Sequence, residues 1–191
     1  MYMDRKQLIV DAATESFSRF GYKATTMDQV AKIANVGKGT IYTFFINKEE
    51  LFDEIVSNLI KEMKQAAESS VHPERSLSQN VSFALYQLLE FRKDHQLTIK
   101  LFQEGRDIGT RAVVDFMDRV EAAIINYIKE VLQRAIDKGE IKPCNPEVTA
   151  FAMFKLYISL IFDWEKTRQP LNKEEISRLF ELYFFEGLSL G

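Results

Sequence analysis

The sequence predicts an all-α protein of about nine helices, and two observations support this. Apolar residues recur at spacings of three and four along most of the 191 residues, and no long stretch alternates with a period of two. Residues that interrupt helices are few, with 8 glycines and 4 prolines. The predicted helices cover 5–20, 27–34, 38–45, 47–67, 77–91, 96–103, 111–138, 146–168 and 172–188.

The first four helices have clear start and stop signals. The apolar face of the first is followed by Gly21, which is expected to end it. Thr26 and Gln29 have the spacing of a capping box at the start of the second helix. A tight turn, Asn35-Val36-Gly37, separates the second helix from the third, and Asn47 is expected to cap the fourth.

The later helices are marked in the same way. Gly139 is expected to end the long amphipathic helix over 111–138. Asn145 followed by Pro146 is a typical start of a helix, and Asn172 is the expected cap of the last one. The segment EGRDIGT, from 104 to 110, is expected to interrupt the helix before it.

Composition limits the class of protein. With one cysteine, Cys144, no intrachain disulfide can form, which fits a reducing cytosol. The N-terminus lacks the apolar core of a signal peptide, and the most apolar run, 151–164, is too short to span a bilayer. A cytoplasmic protein without a membrane segment is therefore expected.

Charge differs between the two ends of the chain. Residues 1–48 carry seven basic and four acidic side chains, whereas the remainder carries 18 basic and 24 acidic ones. A slightly basic N-terminal piece on an acidic body indicates that one end meets a polyanion.

The second and third helices have the pattern of a helix-turn-helix, in which the second helix of the pair enters the major groove of DNA. A small core between them is predicted from five apolar side chains, and the polar ones between are left to face outward. The predicted core residues are Val30, Ala31, Val36, Ile41 and Phe45.

The stretch FSRFGYKATTMDQVAKIANVGKGTIYTFFINKEEL, from 17 to 51, resembles the DNA-binding domain of the TetR family of transcriptional regulators. Its features are an F-x-x-x-G end to the first helix, a Thr before the second helix, a G-T-I-Y core and F-x-x-K-E-x-L. The resemblance covers about a quarter of the chain. It departs from the family at Asn35, at Gly37, and at Phe44, where a polar ring is usual.

The resemblance implies DNA contacts one residue at a time. Thr26 and Lys48 are expected to bind phosphate, and Tyr42 to present its hydroxyl to the DNA backbone. Gly39 costs helix propensity and is expected to leave bare backbone against DNA or the neighbouring helix. The residues predicted to face the groove or the bases are Lys38, Thr40 and Thr43.

The resemblance also implies a C-terminal domain that binds an effector and forms a homodimer. The domains are expected to be 1–47 for DNA binding and 48–191 for the effector and dimerisation, with helix 48–67 connecting them. The aromatic residues nominated for an apolar or aromatic effector are Tyr86, Phe102, Phe116, Tyr157 and Trp164. Those nominated for a four-helix dimer interface are Phe151, Tyr157, Phe180, Tyr183 and Phe184.

The predicted function is that of a repressor that binds palindromic operator DNA as a homodimer and is released by a small effector. The alternatives are a regulator of the same fold that lacks an effector or activates transcription, and a helical carrier or enzyme with no DNA role. No catalytic motif is present, His72 and His95 lack metal-ligand spacing, and no cofactor or metal is expected. The charged run Glu104–Asp107 is either a local ion pair at a kink or a polar group at the mouth of the pocket.

Overall fold

The computed structural model describes residues 5–69, 72, 74–81, 83–84 and 96–186. Every regular element among them is helical, as predicted, and no strand occurs in these ranges. The α-helices are α1 (Arg5–Ala24), α2 (Met27–Ile33), α3 (Lys38–Phe44), α4 (Lys48–Ser69), α5 (Gln96–Asp107), α6 (Arg111–Asp137), α7 (Pro146–Ile158) and α8 (Lys173–Phe180). Residues 77–81 and 83–84 are also helical, whereas most of the predicted helix 77–91 lies outside the described residues.

The predicted caps are confirmed. Thr26 and Gln29 form a capping box, with Gln29 N–H bonded to Thr26 Oγ1 at 3.2 Å and Thr26 N–H to Gln29 Oε1 at 2.9 Å. Asn172 and Glu175 form a second capping box. Asn145 accepts two backbone N–H groups at the start of α7, and Pro146 occupies its first turn.

The predicted end of the first helix at Gly21 is confirmed, since the backbone leaves the helical conformation there, with φ of 83°, and only a short helical piece follows it as far as Ala24. The predicted end of α5 was wrong. α5 does not end before Glu104 but continues to Asp107, because the Glu104 carbonyl accepts the N–H groups of Ile108 and Gly109 beyond that residue. The turn that ends α5 comes at Gly109, with φ of 68°.

The predicted single helix over 146–168 is also wrong in detail. α7 is α-helical only to Ile158 and then passes into a π-helical turn, Ser159–Asp163, and a 3₁₀ turn, Trp164–Lys166. The helix that begins with α8 likewise passes into a π-helical turn, Glu181–Phe185. A side-chain period of 3.6 does not reveal where such a turn is inserted, since the apolar spacing shifts by only one residue.

The chain divides into two compact units. The first comprises 1–63 and 92–119, and the second 64–91 and 120–191, so that the boundaries fall inside α4 and α6. The first unit has a cluster of aromatic rings in its core, with Tyr22 and Phe52 at 4.6 Å and Phe52 and Phe116 at 5.8 Å between centroids. Among the described residues of the second unit, a core of buried side chains includes Met153, Tyr157 and Phe180.

The functional boundary predicted after residue 47 remains a prediction. The first half of α4 packs into the same compact unit as the N-terminal helices, since Leu51, Phe52 and Ile55 are all buried in it. Helix 48–67 therefore belongs structurally to both units. None of the helices in the described residues is long and apolar enough to cross a membrane.

Candidate DNA-binding surface

Two buried side chains, one in α3 and one directly after it, anchor α3 to the N-terminal helices. Ile41 is fully buried and Phe45, just after the helix, is 2% exposed. They pack in the small predicted core with Val30 and Ala31 of α2, both also buried, while Val36 in the turn is only half-buried. The inner face of α3 is therefore fixed, and its other face is free to meet a partner.

The turn before α3 has the geometry that its sequence predicts. Asn35 has φ of 53°, the left-handed conformation that asparagine tolerates better than most residues. The backbone re-enters the helix through Gly37, whose carbonyl accepts Thr40 N–H at 2.9 Å, although Gly37 offers no side-chain cap. This short connection fixes the orientation of α3 relative to α2.

The polar residues of α3 lie largely on its outer face. Lys38, Gly39, Tyr42 and Thr43 are exposed, with Tyr42 at 46%, whereas Thr40 is half-buried. The Thr43 hydroxyl donates to Thr40 O at 2.7 Å and is thereby turned back to its own helix. Lys38, Gly39 and Tyr42 thus form the most available part of the predicted reading surface.

Lys38 is paired with an acidic residue that the sequence reasoning missed. Its Nζ lies 2.8 Å from one Asp28 oxygen and 2.9 Å from the other. The hydrogen bond to Asp28 raises the pKa of Lys38, so that the ammonium is held in its charged form. Because ten residues separate the two, no helical spacing in the sequence could have indicated the pair.

Thr26 and Lys48, the predicted phosphate-binding residues, have other partners in this structure. The Thr26 amide and hydroxyl are both engaged with Gln29 in the capping box. Lys48 Nζ donates to the carbonyls of Tyr22 and Thr25, each at 2.9 Å, and lies 4.3 Å from the centroid of the Tyr22 ring. Burial lowers the pKa of Lys48. The phosphate roles of both residues remain predictions.

The apolar side of the surface extends beyond the predicted residues. Phe44 is 38% exposed and Ile46 is 78% exposed, directly after α3. Phe44 is therefore partly exposed, unlike Phe45. An exposed apolar side chain next to a reading helix can contact the methyl group of thymine or the sugar of the backbone.

The five predicted effector residues are not gathered in one unit. Phe102 and Phe116 are buried in the first unit, Tyr157 is buried in the second, and Trp164 is half-buried there. Tyr86 lies outside the described residues. The effector site remains a prediction.

The five predicted interface residues divide by exposure. Tyr157 and Phe180 are 7% and 2% exposed, so they already fill the core of the second unit of one chain. Phe151 and Tyr183 are 48% and 58% exposed, and Phe184 is half-buried. Val148 and Leu182, which the sequence reasoning missed, add exposed apolar surface on the same two helical segments.

Metal ligands do not cluster in the part of the chain that the structure describes: no group of three or more His, Cys, Asp or Glu side chains there could hold an ion. Cys144 is a free, half-buried thiol that packs against the core of the second unit.

Comparison with known sequences relates the chain to transcriptional regulators. Residues 9–55 match the bacterial regulatory proteins of the tetR family. The HTH-type transcriptional regulator YhgD of Bacillus subtilis strain 168 is 61% identical over 189 residues, which are 99% of this chain and 99% of the relative. The fatty acid metabolism regulator protein of the same strain is 30% identical over 140 residues, 70% of this chain and 69% of that one.

Solved structures share the fold along almost the whole chain. The SmeT–triclosan complex aligns with a TM-score of 0.78 at 17% identity, covering 97% of this chain and 92% of that one. The fatty acid degradation regulator FadR from Bacillus halodurans aligns with a TM-score of 0.74 at 17% identity, covering 95% of each. Identities this low show the fold alone.

Proposed function

Because the chain belongs to the TetR family of DNA-binding transcriptional regulators, we propose that it is a homodimeric repressor which binds a palindromic operator and is released by a small apolar or aromatic effector. Its relatives are regulators of transcription rather than enzymes. The observation that supports the proposal best is α3 itself, which buries Ile41 and exposes Lys38 and Tyr42.

The dimer is supported by exposed apolar side chains in the second unit. Val148 and Phe151 are 62% and 48% exposed on α7, and Leu182 and Tyr183 are 49% and 58% exposed after α8. A second copy of the chain would bury this surface, and a two-fold dimer presents the same patch from both subunits. A single helix-turn-helix reads few base pairs, so two linked heads are also what a specific operator requires.

The effector class is supported by the names of similar proteins. SmeT was solved with triclosan, and three of the matched proteins are named as regulators of fatty acid metabolism or degradation. Apolar compounds of this kind suit a cavity lined by aromatic side chains. In the proposed mechanism the effector binds a form of the dimer whose heads do not fit the operator, so that effector and DNA oppose each other by linkage, typically by about 1–3 kcal/mol.

Titration of a fluorescent duplex with the purified chain tests this function. We expect binding that weakens steeply as salt increases, since phosphate contacts release counterions. Adding triclosan or decanoate as effector probes should lower the affinity if either compound is of the right class. Equal affinity with and without a compound that demonstrably binds the chain would contradict release by an effector and favour a regulator without one.

A further inference from the structure

The segment Gly21–Thr25 joins α1 to the helix-turn-helix and ends directly before Thr26, the cap of α2. Its backbone leaves the helical conformation at Gly21, with φ of 83° and ψ of 168°. Only glycine adopts this combination of angles readily, so the glycine at position 21 favours a kink there. The contacts that fix this segment therefore determine the position of the first residues of α2.

A buried carboxylate from α5 holds one side of the segment. Glu104 is 6% exposed, and its Oε1 accepts the N–H of Lys23 at 3.0 Å. Its Oε2 occupies the place where a side chain on Gly21 would begin, so the carboxylate lies directly against the kinked backbone. A charged acceptor that receives a backbone N–H is among the stronger hydrogen bonds in proteins.

A cation from α4 holds the other side of the same segment. Lys48 donates to Tyr22 O and Thr25 O; burial lowers the pKa of this lysine, and the charges of Glu49 and then Glu104 partly oppose that effect. Inside the segment the Thr25 hydroxyl donates to Gly21 O at 2.8 Å, and it lies 3.1 Å from Ser16 Oγ. The kink is thus fixed by opposite charges from two helices and by its own buried hydroxyl.

We propose that Glu104 is a positioning residue for DNA binding: through Gly21 and Lys23 it sets where Thr26 and α2 stand. The inference rests on the proposed function, since it concerns how the DNA-reading helices are held. α5 belongs to the same compact unit as α1, α2 and α3, since residues 1–63 and 92–119 form the first unit. A displacement of α5 would carry the carboxylate with it and release or shift the kink.

This role is a third one beside the two that the sequence left open for the run Glu104–Asp107, an ion pair at a kink and a polar group at the mouth of a pocket. The helix does not kink at Glu104, since α5 continues to Asp107. A place at the mouth of a pocket remains a prediction. The Glu104 carboxylate binds the backbone of α1, 81 residues earlier in the chain. The burial of Glu104 could not be predicted from the sequence, because the helix is predicted to end before this residue.

Three variants of the full-length chain test the proposal. Glu104→Ala removes the acceptor, Glu104→Gln keeps an oxygen that can accept Lys23 N–H, and Gln103→Ala changes the exposed neighbouring position as a control. Two quantities are measured at a temperature where all variants are folded. One is amide hydrogen exchange over residues 21–27, and the other is affinity for a duplex that the wild-type chain has enriched from a random pool.

The expected result is specific to the kink. In Glu104→Ala, exchange at 21–27 rises about tenfold or more relative to exchange in α8, and the duplex affinity falls by about the same factor. Glu104→Gln keeps most of the protection from exchange at 21–27 and most of the duplex affinity, and Gln103→Ala changes neither the exchange nor the affinity. A lower melting temperature with unchanged exchange at 21–27 and unchanged affinity would overturn the proposal and leave Glu104 a structural residue.

The two hypotheses fail in different ways. If the wild-type chain enriches no duplex, the proposed function fails, while the exchange measurement still decides whether Glu104 holds the kink. If the wild-type chain binds DNA and Glu104→Ala loosens 21–27 without weakening that binding, the positioning role fails and the proposed function stands.

Discussion

In the absence of DNA, Lys38 forms an ion pair with Asp28, and this pair is expected to limit DNA binding. The ammonium of Lys38 is held at 2.8 Å by a carboxylate from the first turn of α2, and both side chains are more than half exposed. To contact a base, the Lys38 ammonium must break its ion pair with Asp28 or bind the base and the Asp28 carboxylate at the same time. Asp28 also brings a negative charge to a surface expected to approach phosphates.

Asp28→Asn is therefore expected to strengthen DNA binding, by up to about fivefold, because an exposed ion pair is weak and its loss frees the lysine. The gain should be largest at low salt and should reduce discrimination between operator and random duplex. Fluorescence anisotropy titrations against both duplexes measure it. Asp11→Asn, which removes an exposed carboxylate from α1, is the charge-matched control.

Tyr22 makes stability depend on alkaline pH. Burial, and then its hydrogen bond to Glu49 at 2.9 Å, raise the pKa of this hydroxyl above its ordinary value of 10.0. Above pH 10 the unfolded chain loses this proton while the folded chain keeps it, so the free energy of unfolding falls as pH rises.

We expect Tyr22 to account for about 1 kcal/mol of lost stability at pH 11. Urea unfolding from pH 8 to pH 11 checks this: Tyr22→Phe, although less stable at pH 8, should show a shallower decline than the wild-type chain. Tyr42→Phe alters an exposed tyrosine of α3, outside the proposed dimer interface, and in the absence of DNA should decline like the wild type. Parallel declines for all three would show that Tyr22 titrates normally.

At the scale of elements, Gly39 is the residue of α3 with the lowest helix propensity. A Cβ added there would meet nothing within 4 Å, so no neighbouring helix in the described structure requires the glycine. Close approach of this bare backbone to DNA remains a prediction.

Gly39→Ala is expected to stabilise the fold slightly, by up to about 1 kcal/mol, because alanine has the higher helix propensity. If bare backbone meets DNA, affinity should fall at the same time. Thermal unfolding and duplex titration of one preparation separate the two effects. Unchanged or tighter DNA binding would show that Gly39 does not face the duplex.

Gly105→Ala is the matched comparison, since there the added Cβ would run into Met117 Sδ and lie 3.3 Å from Val113 Cγ1. This substitution should destabilise the fold by about 1–3 kcal/mol through overpacking. The same chemical change thus has opposite expected effects on stability in α3 and α5.

The helix starts could be predicted from the sequence because their causes are local. Thr26, Asn145 and Asn172 each accept an N–H two or three residues ahead, so residue type and spacing suffice. The hydrogen bond that Glu104 accepts could not be predicted, because its donor is the backbone N–H of Lys23, which lies far away in sequence. Likewise, a lysine predicted to bind phosphate, Lys48, bonds carbonyls of the α1–α2 connection, which no spacing rule reveals.

At the scale of the whole molecule, self-association is the property on which the proposed function depends most. Phe151 and Tyr183 are the two nominated interface residues that are exposed in one chain. The double substitution Phe151→Glu with Tyr183→Glu places two charges in the proposed interface, where a dimer cannot hydrate them.

Sedimentation velocity is expected to give a dimer of twice the 22.2 kDa chain for the wild type and a folded monomer for the double variant. The monomer should also bind duplex DNA far more weakly. Phe20→Glu, a change of equal chemistry at an exposed residue of α1, should leave the dimer intact. A wild-type monomer, or a double variant that still dimerises, would refute this interface.

The central claim, that two copies of α3 read a symmetric site, is tested most directly by enriching bound duplexes from a random pool with the full-length chain. The predicted result is an inverted repeat whose half-sites lie about 34–36 Å apart, or a multiple of that spacing, as two-fold related reading helices require. Lys38→Ala should lose preference at one pair of symmetry-related positions and keep the others. Failure of the wild-type chain to enrich any sequence, or enrichment of a site without two-fold symmetry, would contradict the claim.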